Sequence, residues 1–339
     1  MRHGHHQNRR SVGFRAACLA GALLLLALAV FGVTKWMEKG TDQPEATGDY
    51  RQRLSYEALI EVDGGTYRPK RRLTTILLIG VDRETEPVTR VSYRNGGQAD
   101  FLRLLVIDDD RKCVSQIQID RDTMTPITTI GVMGDRSGVR TAQIALSHAF
   151  GDGQAQSCQL TVEAVSKLLL GINIDFYAAM NMDGIPVLND AVGGVTVTIE
   201  DDFSASDPAM VPGATLKLTG EQARLFVRGR QSVSDGTNVN RMARQQVFMS
   251  ALAKEIERRQ SEDSRFFEEL YDTLTPYAVT NLTKARLINE AWFASDYEQP
   301  AAYSLKGEHR IGMTGFMQFF PDEDAIRQLV LELFYEEVR

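Results

Sequence analysis

The run Thr74-Thr75-Ile76-Leu77-Leu78-Ile79-Gly80-Val81 has no polar stripe to turn toward water. It is short, almost wholly apolar and followed by Asp82, which is the pattern of a strand buried on both faces. A chain with such a strand must cover the sheet on either side. After a loop rich in Gly, Asn and Arg (Glu84 to Gln98), Phe101 to Ile107 reads as a second strand, and the turn Asp108-Asp109-Asp110-Arg111 joins it to a third, Cys113 to Ile119, as a hairpin. Ile174 to Met180 reads as strand, and Val195 to Ile199 as a β-branched strand after the Gly193-Gly194 turn. Helical periodicity marks Gln143–Phe150, Leu160–Leu170 with Gly171 as its stop, and Met182–Asp190. Thr219-Gly220-Glu221-Gln222 starts another helix, Asn240 caps a long one reaching Arg259, and further helices are expected at 262–274, 283–293 and 322–337. Strands alternating with helices predict an α/β fold, a three-layer α/β/α sandwich around a central mixed sheet, forming one domain over 73–339.

The N-terminus adds a second expectation. Ala16 to Val33 is apolar without a charge, about the length that crosses a bilayer as a helix. Arg2, Arg9, Arg10 and Arg15 precede it, so the positive-inside rule keeps residues 1–15 in the cytoplasm, makes 16–37 the transmembrane helix and leaves the rest outside. A cleaved signal peptide is the competing reading; the run is longer than a usual h-region, no A-x-A-like site follows, and Lys35 to Lys39 reads as an interfacial anchor. Residues 38–72 read as a polar spacer, with a short helix near Tyr56–Val62. The chain carries a net −7, and beyond residue 40 the balance is −12, which argues against nonspecific nucleic-acid binding. Of three cysteines, Cys113 and Cys158 lie outside the span; they form no metal pattern, and whether they are bridged is left open.

Against that acidity stands a local knot of arginines: Phe226-Val227-Arg228-Gly229-Arg230, then Asn240-Arg241-Met242-Ala243-Arg244-Gln245-Gln246. Read as extended, Arg228 and Arg230 share a face; on a helix, Arg241, Arg244 and Gln245 do too. Four guanidiniums held together call for an anion, and arginine's planar fork matches phosphate. The bland alternative pairs each with a surface carboxylate. Asp82 and Asp100 stand at neighbouring strand ends, where ligands gather in open α/β sheets, and two close carboxylates without a basic partner suit Mg²⁺. Asp120-Arg121-Asp122-Thr123 ends the third strand at the same kind of place.

The order ILLIGVD, Asp100, Arg121-Asp122-Thr123, AVGGVTV, LTGEQARLFVRGR and NRMARQQ resembles the LytR-CpsA-Psr family over about residues 73 to 260, and the tail from Pro276 to Phe334 resembles the C-terminal part of the same proteins. The resemblance implies a transferase on the outer face of the plasma membrane of a Gram-positive bacterium, moving a glycopolymer from a polyprenyl-pyrophosphate carrier to peptidoglycan through a phosphodiester. It implies that Asp82 and Asp100 hold Mg²⁺. It implies too that Arg121, Arg228 and Arg230 grip the pyrophosphate, with Arg241 and Gln245 completing the head-group site. The polyprenyl chain would lie in an apolar tunnel between sheet and helices. Asp122 is the candidate base, or else it orients Arg121.

Three positions depart from the family pattern. Gln98-Ala99-Asp100 stands where many members have Arg-Ser-Asp, Asp120 where a proline is usual, and Arg140 to Leu146 lacks the lysine often found there. Either Arg140 or Gln143 substitutes for that lysine or the site has fewer positive charges, and His148 is expected to be a packed or partly exposed residue, with contact to the ligand as the alternative. Two rival functions remain: a hydrolase of the lipid pyrophosphate, and a noncatalytic lipid-pyrophosphate sensor or scaffold. The sequence does not settle the oligomeric state.

Overall fold

Alternate residues of the first buried strand do face opposite ways, and each side has its own cover. In a computed structural model, describing residues 59–83, 96–131, 133–229, 238–294, 297–300 and 302–338, six strands form the central sheet. They are β1 (Leu73–Val81), β2 (Ala99–Asp108), β3 (Cys113–Ile119), β4 (Phe176–Asn181), β5 (Ala278–Thr280) and β6 (Tyr303–Ser304), in the order β5-β4-β1-β2-β3-β6. β1 is parallel to β4 and antiparallel to β2, and β3 is antiparallel to β2 and parallel to β6, so the sheet is mixed.

On one face Leu77, Ile79, Leu102 and Leu104 pack against α1 (Ala155–Leu168) and α7 (Glu323–Phe334), through Ala164, Val165, Val330 and Leu333. On the other, Ile76, Leu78, Leu105 and Ile107 meet Tyr271 of α5 (Phe266–Leu274) and Leu287 of α6 (Lys284–Ala294). Beside that layer, α2 (Gly184–Ala191), α3 (Gly220–Arg228) and α4 (Asn238–Glu262) close a second apolar cluster around Leu188, Phe226, Phe248 and Leu252. The expected covering of both faces is present.

Several boundaries differ from the sequence reading. Only Leu146–Ala149 of the expected Gln143–Phe150 helix is helical. The residues before it form a hairpin, Met124–Ile130 with Arg136–Gln143, whose β-branched Ile127-Thr128-Thr129-Ile130 favours strand. The long helix begins at Asn238, so Asn240 lies inside it instead of capping it. The expected short helix near Tyr56–Val62 is instead a strand, Ile60–Val62, turning back into Gly65–Pro69. Gly65–Pro69 also pairs with Tyr335–Glu337, and that pairing ends the last helix at Phe334, short of the expected 337. The region Gly307–Pro321, not assigned from sequence, is a second hairpin (Gly307–Ile311 with Met317–Pro321). Cys113 and Cys158 are both free. The transmembrane helix expected at 16–37 lies outside the described residues; among those, no helix is long and apolar enough to cross a membrane.

Candidate active site

Four strand termini meet at one end of the sheet. β1, β3 and β4 finish there, at Val81, Ile119 and Asn181, and the antiparallel β2 begins there at Ala99. Topology therefore brings Asp82, Asp100 and the turn Asp120–Thr123 together, as strand-end reasoning predicted.

Asp100 is the hub and is buried. One of its carboxylate oxygens accepts from Arg121 Nη1, the other from Arg241 Nη1 at 3.1 Å, and Arg241 Nη2 also reaches the Asp100 carbonyl at 3.4 Å. Arg121 Nη2 donates to Gln98 Oε1, and its Nε lies 3.4 Å from Asp122 Oδ1. Asp122 Oδ1 accepts from Gln143 Nε2 at 3.0 Å, and the same amide donates to the Met317 carbonyl at 2.6 Å. Asp120 Oδ1 accepts the Asp122 N–H, and Asp120 Oδ2 lies 2.9 Å from His309 Nε2. Asp82 Oδ1 accepts the Gln98 N–H across a turn whose Gly97 has φ +77°, a conformation costly for any residue with a Cβ.

This geometry corrects the premise that Asp82 and Asp100 lack a basic partner, because Asp100 has two. Buried guanidiniums need a counter-charge in a medium that solvates ions poorly, and Asp100 supplies it to both. The arginine knot is likewise divided. Arg241 and Gln245 are buried at the N-terminal end of the α4 stripe that continues through Phe248, Leu252 and Ile256, so the apolar face that docks the helix also sets their direction. Arg244 is turned elsewhere: it donates to Asp201, to the Gly229 carbonyl and, at 3.1 Å, to the Phe226 carbonyl. It closes the C-terminal end of α3, whose last carbonyls have no partner within the helix. Arg228 is exposed as the last residue of α3, not part of an extended segment; the Thr219–Gln222 capping box fixes the start of that helix and Gly229 follows its end. Arg230 lies outside the described residues.

Each departure from the family pattern has an assigned contact. Gln98 holds Arg121 and Asp82, Asp120 holds His309, and Gln143 bridges Asp122 to the second hairpin. Arg140 stacks over Phe150 at 4.8 Å instead. Sequence reading missed Gln98, His309 and Asp201 as site or supporting residues. Only the Gly312 and Gly315 turn signals around Met313 could have announced the hairpin that carries His309.

His148 is packed, as expected. It is buried with Nδ1 3.0 Å from the Gly97 carbonyl, and burial pushes its pKa down to about 4. The unfolded chain binds a proton near pH 6.5 that the folded chain refuses until about pH 4, so stability is full above pH 6.5 and falls on acidification through that window. The expected loss is about 3 kcal/mol. Urea midpoints between pH 7 and 4 for wild type and His148→Gln check this, since the variant should lose most of that slope.

Next to Asp100 an apolar pocket opens between the sheet and α2–α4, walled by Leu78, Met180, Ile185 and Phe248, with Gln245 at its polar edge. Of the expected Mg²⁺ pair, Asp100 has both carboxylate oxygens engaged by Arg121 and Arg241, and Asp82 has one engaged by the Gln98 N–H. The two would supply only a sparse part of the shell of a Mg²⁺ that completes it with phosphate and water. Among the described residues no group of three or more His, Cys, Asp or Glu is arranged for a metal, so any such ion would draw most of its ligands from elsewhere.

A mixed α/β sheet whose strand ends carry a buried arginine–carboxylate cluster beside an apolar pocket defines the class of protein. The LytR_cpsA_psr family model matches residues 35–333, and the chain belongs to that family. Biofilm regulatory protein A of Streptococcus mutans is 32% identical over 190 residues, 54% of this chain and 44% of the relative. Polyisoprenyl-teichoic acid–peptidoglycan teichoic acid transferase TagU of Bacillus mycoides is 29% identical over 185 residues, 55% of this chain and 53% of the relative. The chain thus spans about half the length of these curated relatives. Among solved structures, a Streptococcus agalactiae protein superposes with TM-score 0.62 at 24% identity over 77% of this chain and 86% of the other. TagT bound to LIIa-WTA gives 0.58 at 21% over 84% and 96%. At these identities the likeness is one of fold.

Proposed function

We propose that the protein is a membrane-anchored phosphotransferase that moves a glycopolymer from a polyprenyl-pyrophosphate carrier to peptidoglycan through a phosphodiester, with the plasma membrane as its site of action. The observation that carries this reading is the junction of two unlike surfaces. An apolar pocket between sheet and helices meets Asp100 and Gln245 where Arg121 and Arg241 converge, as a ligand with an anionic head and an apolar tail requires. The family membership and the name of TagU point the same way.

Phosphoryl transfer asks the protein mainly to position the partners and to neutralise the equatorial oxygens. Arg121 and Arg241 share Asp100, so an arriving pyrophosphate competes with that carboxylate for donors already aimed at one place. Gln98 and Asp100 hold the Arg121 fork, Asp122 stands 3.4 Å from its Nε, and Gln245 lies one turn beyond Arg241 at the pocket's edge. Arg228 and Arg230 would join Arg121 in gripping the pyrophosphate, as the family resemblance implies. Asp82 and Asp100 would hold Mg²⁺, which adds positive charge against the phosphate oxygens when bound. Asp122 orients Arg121 and is the assigned base for the acceptor hydroxyl, which attacks the phosphorus nearer the glycan as polyprenyl phosphate leaves.

The test is turnover of a synthetic polyprenyl-pyrophosphate saccharide by the full chain with Mg²⁺ and peptidoglycan strands. Phosphodiester product is expected, falling about 10²–10³-fold in Arg121→Ala. Release of polyprenyl phosphate without glycan product would make the protein a hydrolase, and tight binding without any release would make it a sensor or scaffold.

A further inference from the structure

The hairpin Gly307–Pro321 is fastened to the arginine turn and then runs past it. Phe319 N–H donates to the Asp122 carbonyl at 2.8 Å, Gln143 joins Asp122 to Met317, and Asp120 is paired with His309. Thr123 and Phe319 bridge in parallel, so this hairpin and Met124–Gln143 leave the turn in opposite directions. Beyond Met317 the tip carries Ile311, Met313 and Phe316, which are 74%, 108% and 68% exposed. No residue from Ile311 to Pro321 is charged, in a chain of net −7.

We infer that this tip is a membrane-contact element that enters the interface of a lipid bilayer and holds the arginine site at head-group level. The inference rests on the proposed lipid-linked donor and on the anchoring expectation. The tip side chains are aliphatic and phenyl, with Thr314 the only polar one from Ile311 to Phe316, whereas a glycan subsite needs several convergent polar groups. An exposed apolar tip is the composition that settles in an interface, and Arg310, over the Phe320 ring at 5.2 Å and paired with Glu308 at 2.6 Å, stands at its edge. A bilayer is also within reach: the uncharged run ends at Val33, and residues 34–58 span at most about 90 Å when extended. Interfacial elements enter by roughly 5–10 Å. A single side chain, Gln143, touches both Asp122 and Met317 at the start of the tip, so that depth would bring Arg121 to the level of a lipid-borne pyrophosphate.

The experiment is photolabelling of the full chain reconstituted into phosphatidylcholine–phosphatidylglycerol vesicles containing a phospholipid with a diazirine in its acyl chain, followed by peptide mapping. Cross-links are expected on peptides covering 311–320 and on the 16–33 run. They should be absent at Met133, an 84% exposed apolar side chain on the hairpin that leaves in the other direction. Met313→Glu with Phe316→Glu should lower hairpin labelling by about tenfold without changing labelling of 16–33. Labelling confined to 16–33 overturns the inference while leaving the anchor standing, and absence of label at 16–33 overturns the anchor itself. Hairpin labelling equal to that of Met133, or protection of the tip from hydrogen exchange by soluble peptidoglycan fragments in place of vesicles, also overturns it.

Discussion

Asp100→Ala should abolish transfer and unfold the protein more readily, by about 3–5 kcal/mol, because it removes the carboxylate shared by two buried guanidiniums. Thermal unfolding with and without inorganic pyrophosphate separates the two parts of that effect. Without the anion, Arg121 and Arg241 face each other with the Asp100 counter-charge gone. With it, pyrophosphate takes the carboxylate's place, and an anion at a hundred times its Kd contributes about 2.7 kcal/mol. The variant should therefore gain more Tm from pyrophosphate than the wild type does. An equal gain in both proteins would show that the anion does not use these arginines.

Arg244→Ala should cost about as much stability for a different reason, while leaving pyrophosphate affinity nearly unchanged. Its side chain serves Asp201 and the carbonyls of Phe226 and Gly229. Removing it strands a largely buried carboxylate and the end of α3, at about 3–5 kcal/mol. Arg244→Lys should rescue little, since a point charge cannot reproduce the fork. Isothermal titration of the folded Arg244→Ala and Arg241→Ala proteins with pyrophosphate is the check. Affinity should fall in Arg241→Ala only, and matching losses in both would restore the undivided arginine knot.

The contrast between these two residues shows what was legible in the sequence. The buried run at 74–81 required both faces of the sheet to be covered, and strand-end logic brought Asp82, Asp100 and Arg121 to one edge. Those inferences rest on period and on local polarity, which a sequence carries. Which way Arg241 and Arg244 turn depends instead on a carboxylate about 140 residues away, counted along the chain between Asp100 and Arg241, and on another at Asp201. Helical spacing placed both on neighbouring positions without saying which partner each would find. Arg228 was misread because the helix that starts at the Thr219 capping box runs on to Arg228 and ends only at Gly229, so the phrase is helical where it was read as extended. Gln98 and Gln143 looked like losses of positive charge, yet their amides hold Arg121 and Asp122 in place.

The small sheet that joins Gly65–Pro69 to Tyr335–Glu337 bears on how the chain matures. Arg68 meets Glu336 across a separation of 268 residues, and the Lys70 N–H is satisfied by the Phe334 carbonyl. The Gly65–Pro69 strand thus waits for a partner far along the chain, a closure of very high contact order that slows its pairing. Until then its edge is open to the wrong neighbour. Substitutions that weaken the Tyr335–Glu337 strand would therefore leave one edge of Gly65–Pro69 open while its hairpin with Ile60–Val62 stays paired.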